Sequence, residues 1–213
     1  MKCRLNLLFD WKSMGFVAYA PLLIFIFIFY YNSTVESNLH MIIPVLEYTI
    51  PAFSAWWSIF LLQDILEEEG TESILSYPVS RWNLGFIRLS IFFLIYVLLI
   101  ASVIFTIQYQ IENNIFFSLL YQLSIESFFF SGLGFLSMVM TTNSGWSLGI
   151  IILYVSTQIL TKGSFLPFTN IYLFNDRILS LPNLLNWSIA VLVISCLCWL
   201  GAQVILNHFK KFY

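Results

Sequence analysis

The sequence predicts an all-α integral membrane protein with six transmembrane helices. Three observations carry that prediction. Hydrophobic residues make up 60% of the chain and charged residues only 9%. Six segments meet or approach the roughly 20 apolar residues needed to cross a bilayer core. The basic residues gather on one side of the resulting topology, as they do in multi-pass proteins. A soluble domain of this composition would be covered in exposed apolar surface. One membrane domain, residues 1–213, is the expected organisation.

Residues 1–14, MKCRLNLLFDWKSM, show no cleavable signal pattern. They put Leu5, Leu8 and Phe9 on one helical face beside Arg4 and Lys12. Such a segment either lies in the interface as an elbow before the first span or serves as a charged flank that sets topology. The spans are predicted at 15–31, 45–66, 84–109, 115–140, 145–161 and 187–206. Pro21 is tolerable near the start of the first helix or as a kink. The fifth span, GWSLGIIILYVSTQIL, is short, and the sequence behind it is too apolar for a solvated loop. Residues 162–186 are therefore expected to fold back into the outer leaflet as a re-entrant or interfacial segment, shielded by protein.

Orientation follows from Lys and Arg. Lys2, Arg4, Lys12, Arg81, Arg88, Lys210 and Lys211, seven of the nine basic residues, fall on one side of this topology, with Lys162 and Arg177 opposite. That side is predicted to be the cytoplasm, with both termini in it.

Four of the eleven acidic residues, Glu67, Glu68, Glu69 and Glu72, crowd into one stretch, LEEEGTESILSYPVSR at 66–81. The topology puts residues 67–83 in the cytoplasm between the second and third spans. Gly70 permits a backbone turn, Thr71 can cap a short helix beginning at Glu72, and Pro78 stops it because Tyr77 is pushed out of the helical region. Ser80 can cap the third span, with Arg81 and Trp82 at the interface. The outcome is a short helix between two tight turns, with Ile74 and Leu75 among polar neighbours. The plainer alternative is a solvated loop whose acids balance Arg81 and Arg88.

That order of residues, a Glu cluster, Gly-Thr, Glu, a short apolar piece and Pro-Val-Ser-Arg, resembles the segment between the second and third spans of permeases in the type-2 ATP-binding-cassette exporter family. Six spans, an amino-terminal elbow and an apolar segment before the last span extend the resemblance over the whole chain. In that family the segment is a coupling helix that docks on a separate ATP-hydrolysing subunit. The resemblance implies that Glu67, Glu68, Glu69 and Glu72 pair with basic residues of that ATPase, giving orientation and partner choice. Ile74, Leu75 and Tyr77 would supply the buried contact, and Gly70, Thr71, Pro78 and Arg81 would shape and hold the turn. It also implies a second permease chain, as homodimer or heterodimer, and a multi-pass place in the lipid of a bacterial cell membrane. The first external connection, only about a dozen residues long, departs from larger members of the family.

Several chemistries are absent from the pattern. No GxxxxGK[ST] phosphate loop occurs, and Thr161-Lys162-Gly163-Ser164 is not one, so no cofactor is expected on this chain and ATP is expected on the partner. His40 and His208 fall on opposite faces, against a shared zinc site. The acidic run lacks the Arg of the EExxxR membrane proteases, and no enzyme activity or nucleic-acid partner is predicted. Cys3, Cys196 and Cys198 form neither a disulfide framework nor a metal cluster. Gly132 and Gly134 in SGLGF read as close helix packing.

Two acids fall inside spans. Glu126, near the middle of the fourth, costs several kcal/mol as a bare carboxylate unless it is protonated, paired or wet. It should face protein or a cavity, either hydrogen-bonded to a neighbouring helix or lining the dimer interface or substrate path. Glu47, at the outer start of the second span, sits where the helix dipole and interfacial water favour an acid. The leading functional expectation is a permease subunit that exports or flips an amphiphilic, lipid-like or peptide cargo. The alternative is a non-transporting sensor or immunity protein that binds an extracellular peptide.

Overall fold

The computed structural model describes residues 7–34, 39–67, 80–111, 116–165, 170–174 and 181–208, and all regular elements among them are helical. A short helix α1 (Leu7–Ser13) turns at Gly15, whose φ of +59° favours glycine, into a 3-10 turn Gly15–Tyr19 and then α2 (Ala20–Thr34). Next come α3 (Leu39–Phe60), α4 (Gln63–Leu66), a π turn Asn83–Ile87 that runs into α5 (Arg88–Ile111), α6 (Phe116–Thr141), α7 (Ser144–Thr161) and α8 (Leu181–His208). Six stretches are long and apolar enough to cross a membrane: Gly15–Asn32, Met41–Leu66, Asn83–Tyr109, Phe116–Thr141, Ser144–Thr161 and Leu181–His208.

Four spans begin within a residue of the predicted positions, and two begin earlier. The second was expected to start after Pro44, yet its helix runs from Leu39 through both Pro44 and Pro51. A membrane bundle tolerates proline inside its helices, and beside Pro51 Tyr96 donates its hydroxyl hydrogen to the Ile50 carbonyl. The sixth begins at Leu181 with Pro182 in its first turn. N–H groups there have no intrahelical acceptor, so the proline ring removes nothing. Pro21 likewise occupies the first turn of α2 and does not kink its middle.

The fourth span, α6, is the central helix, packed mainly between the second and sixth spans. Glycine sets both approaches. A Cβ on Gly132 would stand 2.5 Å from Trp199 Cδ1, and one on Gly134 would stand 2.9 Å from the Ala55 backbone oxygen. Such closeness lets small polar side chains bridge helices where lipid supplies no partner. Ser58 and Ser131 share a hydrogen bond of 2.7 Å, Ser54 Oγ lies 2.7 Å from the Ser127 carbonyl, and Trp199 Nε1 donates to the Phe128 carbonyl at 3.2 Å. The two serine contacts keep a constant offset along the chain, as parallel neighbours in register do.

Helix α1 packs on the same end as the starts of the first and third spans. Its Trp11 meets Trp57 edge to face at 5.7 Å, and Trp57 meets Tyr96 at 5.6 Å. Trp56 and Trp57 donate from Nε1 to the Val17 and Ala18 carbonyls, both at 2.9 Å. Rows of exposed apolar residues, such as Leu94, Leu98 and Phe105 on the third span and Ile152 and Leu153 on the fifth, give the bundle a surface suited to acyl chains.

Gly134→Ala is expected to cost about 2 kcal/mol of stability in detergent micelles, because the added methyl meets backbone that cannot rotate away. Gly149→Ala, where nothing lies within 4 Å, is expected to leave thermal unfolding unchanged or to raise its midpoint.

Candidate functional site

Polar groups concentrate at the end of the bundle that carries Lys12, Arg81 and Arg88, called here the basic end. The chain leaves the second span at Glu67 and enters the third at Ser80 and Arg81. Of the residues expected to dock on a partner, Glu68, Glu69, Gly70, Thr71, Glu72, Ile74, Leu75, Tyr77 and Pro78 lie outside the described residues, while Glu67 and Arg81 lie within them.

Glu67 is turned toward the fifth span. Its Oε1 accepts from Asn143 Nδ2 at 3.1 Å and its Oε2 from the Ser144 N–H at 3.0 Å. Asn143 is the N-cap of α7 and accepts from the Trp146 N–H at 3.0 Å. The first N–H groups of a helix lack intrahelical acceptors and its dipole places positive charge there. A carboxylate from the second span thus completes the cap that Asn143 begins.

Arg81 makes the complementary contact at the opposite pole of a helix. Its guanidinium donates to the Leu206 carbonyl at 3.3 Å and to the Asn207 carbonyl, in the last turn of the sixth span, where carbonyls lack intrahelical donors and a cation is favoured. Gln203 reinforces the join by accepting from the Phe86 N–H at 2.9 Å and donating to the Arg81 carbonyl at 3.2 Å. Phe86 lies in the π turn, a geometry that loosens the regular ladder. Gly85 makes room for this contact, since a Cβ there would stand 2.5 Å from Gln203 Oε1.

A third join lies beside these. Arg88, 4% exposed, holds Asp64 with two hydrogen bonds of 3.0 and 3.2 Å, and its Nε lies 3.1 Å from Asp10 Oδ1. One guanidinium so ties α1, α4 and the third span. Burial pushes the Asp10 carboxyl above its ordinary value of 3.8, outweighing the downward pull of Arg88, and the nearby Asp64 adds to the rise.

The intramembrane acids belong to the opposite half. Glu126 is fully buried and Glu47 is 1% exposed, so both are enclosed by the helices of this chain. Glu126 Oε1 accepts from Gln122 Nε2 at 3.0 Å. Glu47 Oε1 accepts from the Leu173 and Phe174 N–H groups at 2.6 and 3.2 Å, which holds the non-helical residues 170–174 against the second span. Ile171 and Tyr172 are buried there. A groove of about 230 Å³ runs between the second and fifth spans, lined by Ala52, Phe53, Trp56, Leu148, Ile151 and Val155.

The sequence reading did not contain Asn143, Gln203, Asp64, Asp10 or Tyr172 as working residues. Asp64 and Gln203 interrupt apolar runs, and Asn143 precedes a helix-forming run in the manner of a cap. Those were the available signals. Tyr172 had none, because nothing local tells a buried tyrosine from an interfacial one.

Six long apolar helices, with polar contacts gathered between them, define a multi-pass helical membrane protein. No family model, no curated protein and no solved structure matches the chain.

Asp64→Asn, which leaves a buried guanidinium short of charge, is expected to cost about 3 kcal/mol in micelle-based unfolding, whereas Asp10→Asn should stay within about 1 kcal/mol of the parent. Because the Asp10 pKa is raised, the folded chain holds that proton more tightly than the unfolded one. Its stabilising contribution is full below pH 3.8 and is lost as pH rises through the raised value. An unfolding series over pH should show that loss in the parent and lack it in Asp10→Asn.

Proposed function

We propose that the chain is the membrane-spanning permease subunit of an ATP-binding-cassette exporter, with its basic end and both termini in the cytoplasm. It pairs with a second permease chain, its own copy or a related one, and draws its energy from a separate ATPase subunit. One observation carries the reading: the stretch 68–79 is fastened at both of its ends to other spans, by Glu67 to the start of the fifth and by Arg81 to the end of the sixth. A force applied to that stretch reaches the second, third, fifth and sixth spans together, as a coupling element requires. In this role Glu67 and Arg81 are the fastenings, and Glu68, Glu69, Glu72, Ile74, Leu75 and Tyr77 meet the ATPase.

Other features support the same reading. Helix α1 exposes Leu8 and Phe9 and turns Asp10 inward to Arg88, as an interfacial elbow would. Residues 170–174 reach a glutamate about two turns inside the second span, the depth of a re-entrant segment shielded by protein. The apolar groove between the second and fifth spans suits an acyl chain or an apolar peptide side chain. The cargo class is therefore amphiphilic.

Co-purification tests the assignment. The tagged chain, co-expressed with its genomic neighbours, should bring down a nucleotide-hydrolysing subunit; recovery of the chain without one rejects the reading. In proteoliposomes of the pair, Glu68→Lys with Glu69→Lys should cut cargo-stimulated ATP hydrolysis about tenfold, a loss of about 1.4 kcal/mol in coupling, with the thermal midpoint of the permease unchanged. Hydrolysis still stimulated to the parent level would count against docking at this stretch.

A further inference from the structure

The turn from α1 into the first span bounds a cavity of about 280 Å³, lined by Trp11, Lys12, Gly15, Phe16 and Tyr19. Its walls are fixed from behind. The Trp11 ring meets Tyr19 edge to face at 5.5 Å and stacks on Phe92 at 6.4 Å, while Trp56 and Trp57 hold the Val17 and Ala18 carbonyls. At Gly15 nothing lies within 4 Å of the place a Cβ would take, so the turn leaves the cavity unfilled.

The side-chain polar groups around this cavity can all donate. Lys12 brings an ammonium, Trp11 an indole N–H and Tyr19 a phenol, and no acid lines it. Among the described residues none of these three groups has a hydrogen-bond or ion-pair partner. The acid nearest in sequence, Asp10, is 6% exposed and is turned to Arg88. Residues 1–9 add Lys2 and Arg4 and contain no acid. The cavity therefore favours an anion.

Its depth says which anion. The first span begins at Gly15, so the cavity stands at headgroup level, where Trp, Tyr and Lys anchor helices. From its mouth an exposed apolar stripe, Phe16, Tyr19, Leu23, Ile26, Phe27 and Tyr30, runs down the first span at helical spacing, with Phe16 95% exposed. Tyr19 to Tyr30 covers about 16 Å of helix, close to one leaflet of a hydrocarbon core roughly 30 Å thick. We propose that this turn binds one anionic phospholipid, its phosphodiester held at Lys12, Trp11 and Tyr19 and an acyl chain laid along the stripe. The site rests on the membrane placement of the first span and is independent of any ATPase.

The test titrates phosphatidylglycerol and phosphatidylcholine, separately, into the purified full chain in micelles and counts bound lipid by native mass spectrometry. One tightly held phosphatidylglycerol per chain is expected, bound better than phosphatidylcholine. Lys12→Gln should weaken it at least about fivefold, Lys12→Arg should retain it, and Lys162→Gln, at the opposite end of the bundle, should leave it unchanged. Excess inorganic phosphate should not displace the lipid, because phosphate has no chain to lie on the stripe. The proposal is overturned if no phosphatidylglycerol is retained, if phosphatidylcholine binds as tightly, if Lys12→Gln binds like the parent, if Lys162→Gln weakens binding equally, or if phosphate alone displaces the lipid. Lys12→Met, which keeps the stem and loses the charge, repeats the decisive comparison should Lys12→Gln not fold.

Discussion

The close approach of the fourth span to its two main neighbours is the constraint on which the rest of the structure depends. Lipid is as apolar as leucine, so helices in a bilayer associate through packing and short polar contacts and gain little from hiding apolar surface. Gly132 and Gly134 present backbone on two faces of α6, one toward Trp199 and one toward Ala55. With the helices at that distance, the Ser58–Ser131 and Trp199–Phe128 hydrogen bonds become possible. Glu126, on the same helix, is then sealed from both lipid and water.

What the packed centre leaves unsettled is how the ends are tied, and the two ends are tied differently. At the basic end the joins are electrostatic and link elements far apart in sequence: Glu67 with Asn143 and Ser144, Arg81 with the end of the sixth span, and Arg88 with Asp64 and Asp10. Each charged group meets a helix pole or an opposite charge. At the other end a single carboxylate, Glu47, holds two backbone N–H groups of an otherwise irregular stretch. Irregular backbone needs such a partner wherever water is excluded. Among the described residues the same end is also joined by the Tyr121–Ser188 hydrogen bond of 2.8 Å between the fourth and sixth spans.

The six helices were legible because length and hydropathy alone decide whether a segment can cross a bilayer, and Gly132 and Gly134 were legible because small residues in such a helix have few other uses. The second span begins earlier than the predicted residue 45 because its helix continues through Pro44, which bundle packing tolerates. The sixth span also begins earlier than hydropathy placed it, with Pro182 inside its first turn. The acidic stretch drew notice by composition, yet sequence could not tell that Glu67 faces the fifth span, because its partners Asn143 and Ser144 lie some 76 residues on. Tyr172, Gln203 and Asp64 share that limit: their significance comes from tertiary neighbours.

The central claim is that the stretch beyond the second span is fastened to the fifth through the Glu67 carboxylate. A double-mutant cycle of Glu67→Ala and Asn143→Ala, read as unfolding free energy in micelles, measures that fastening directly. The structure predicts a coupling energy of about 1 kcal/mol between the two sites. Additivity of the two substitutions within about 0.3 kcal/mol would contradict it.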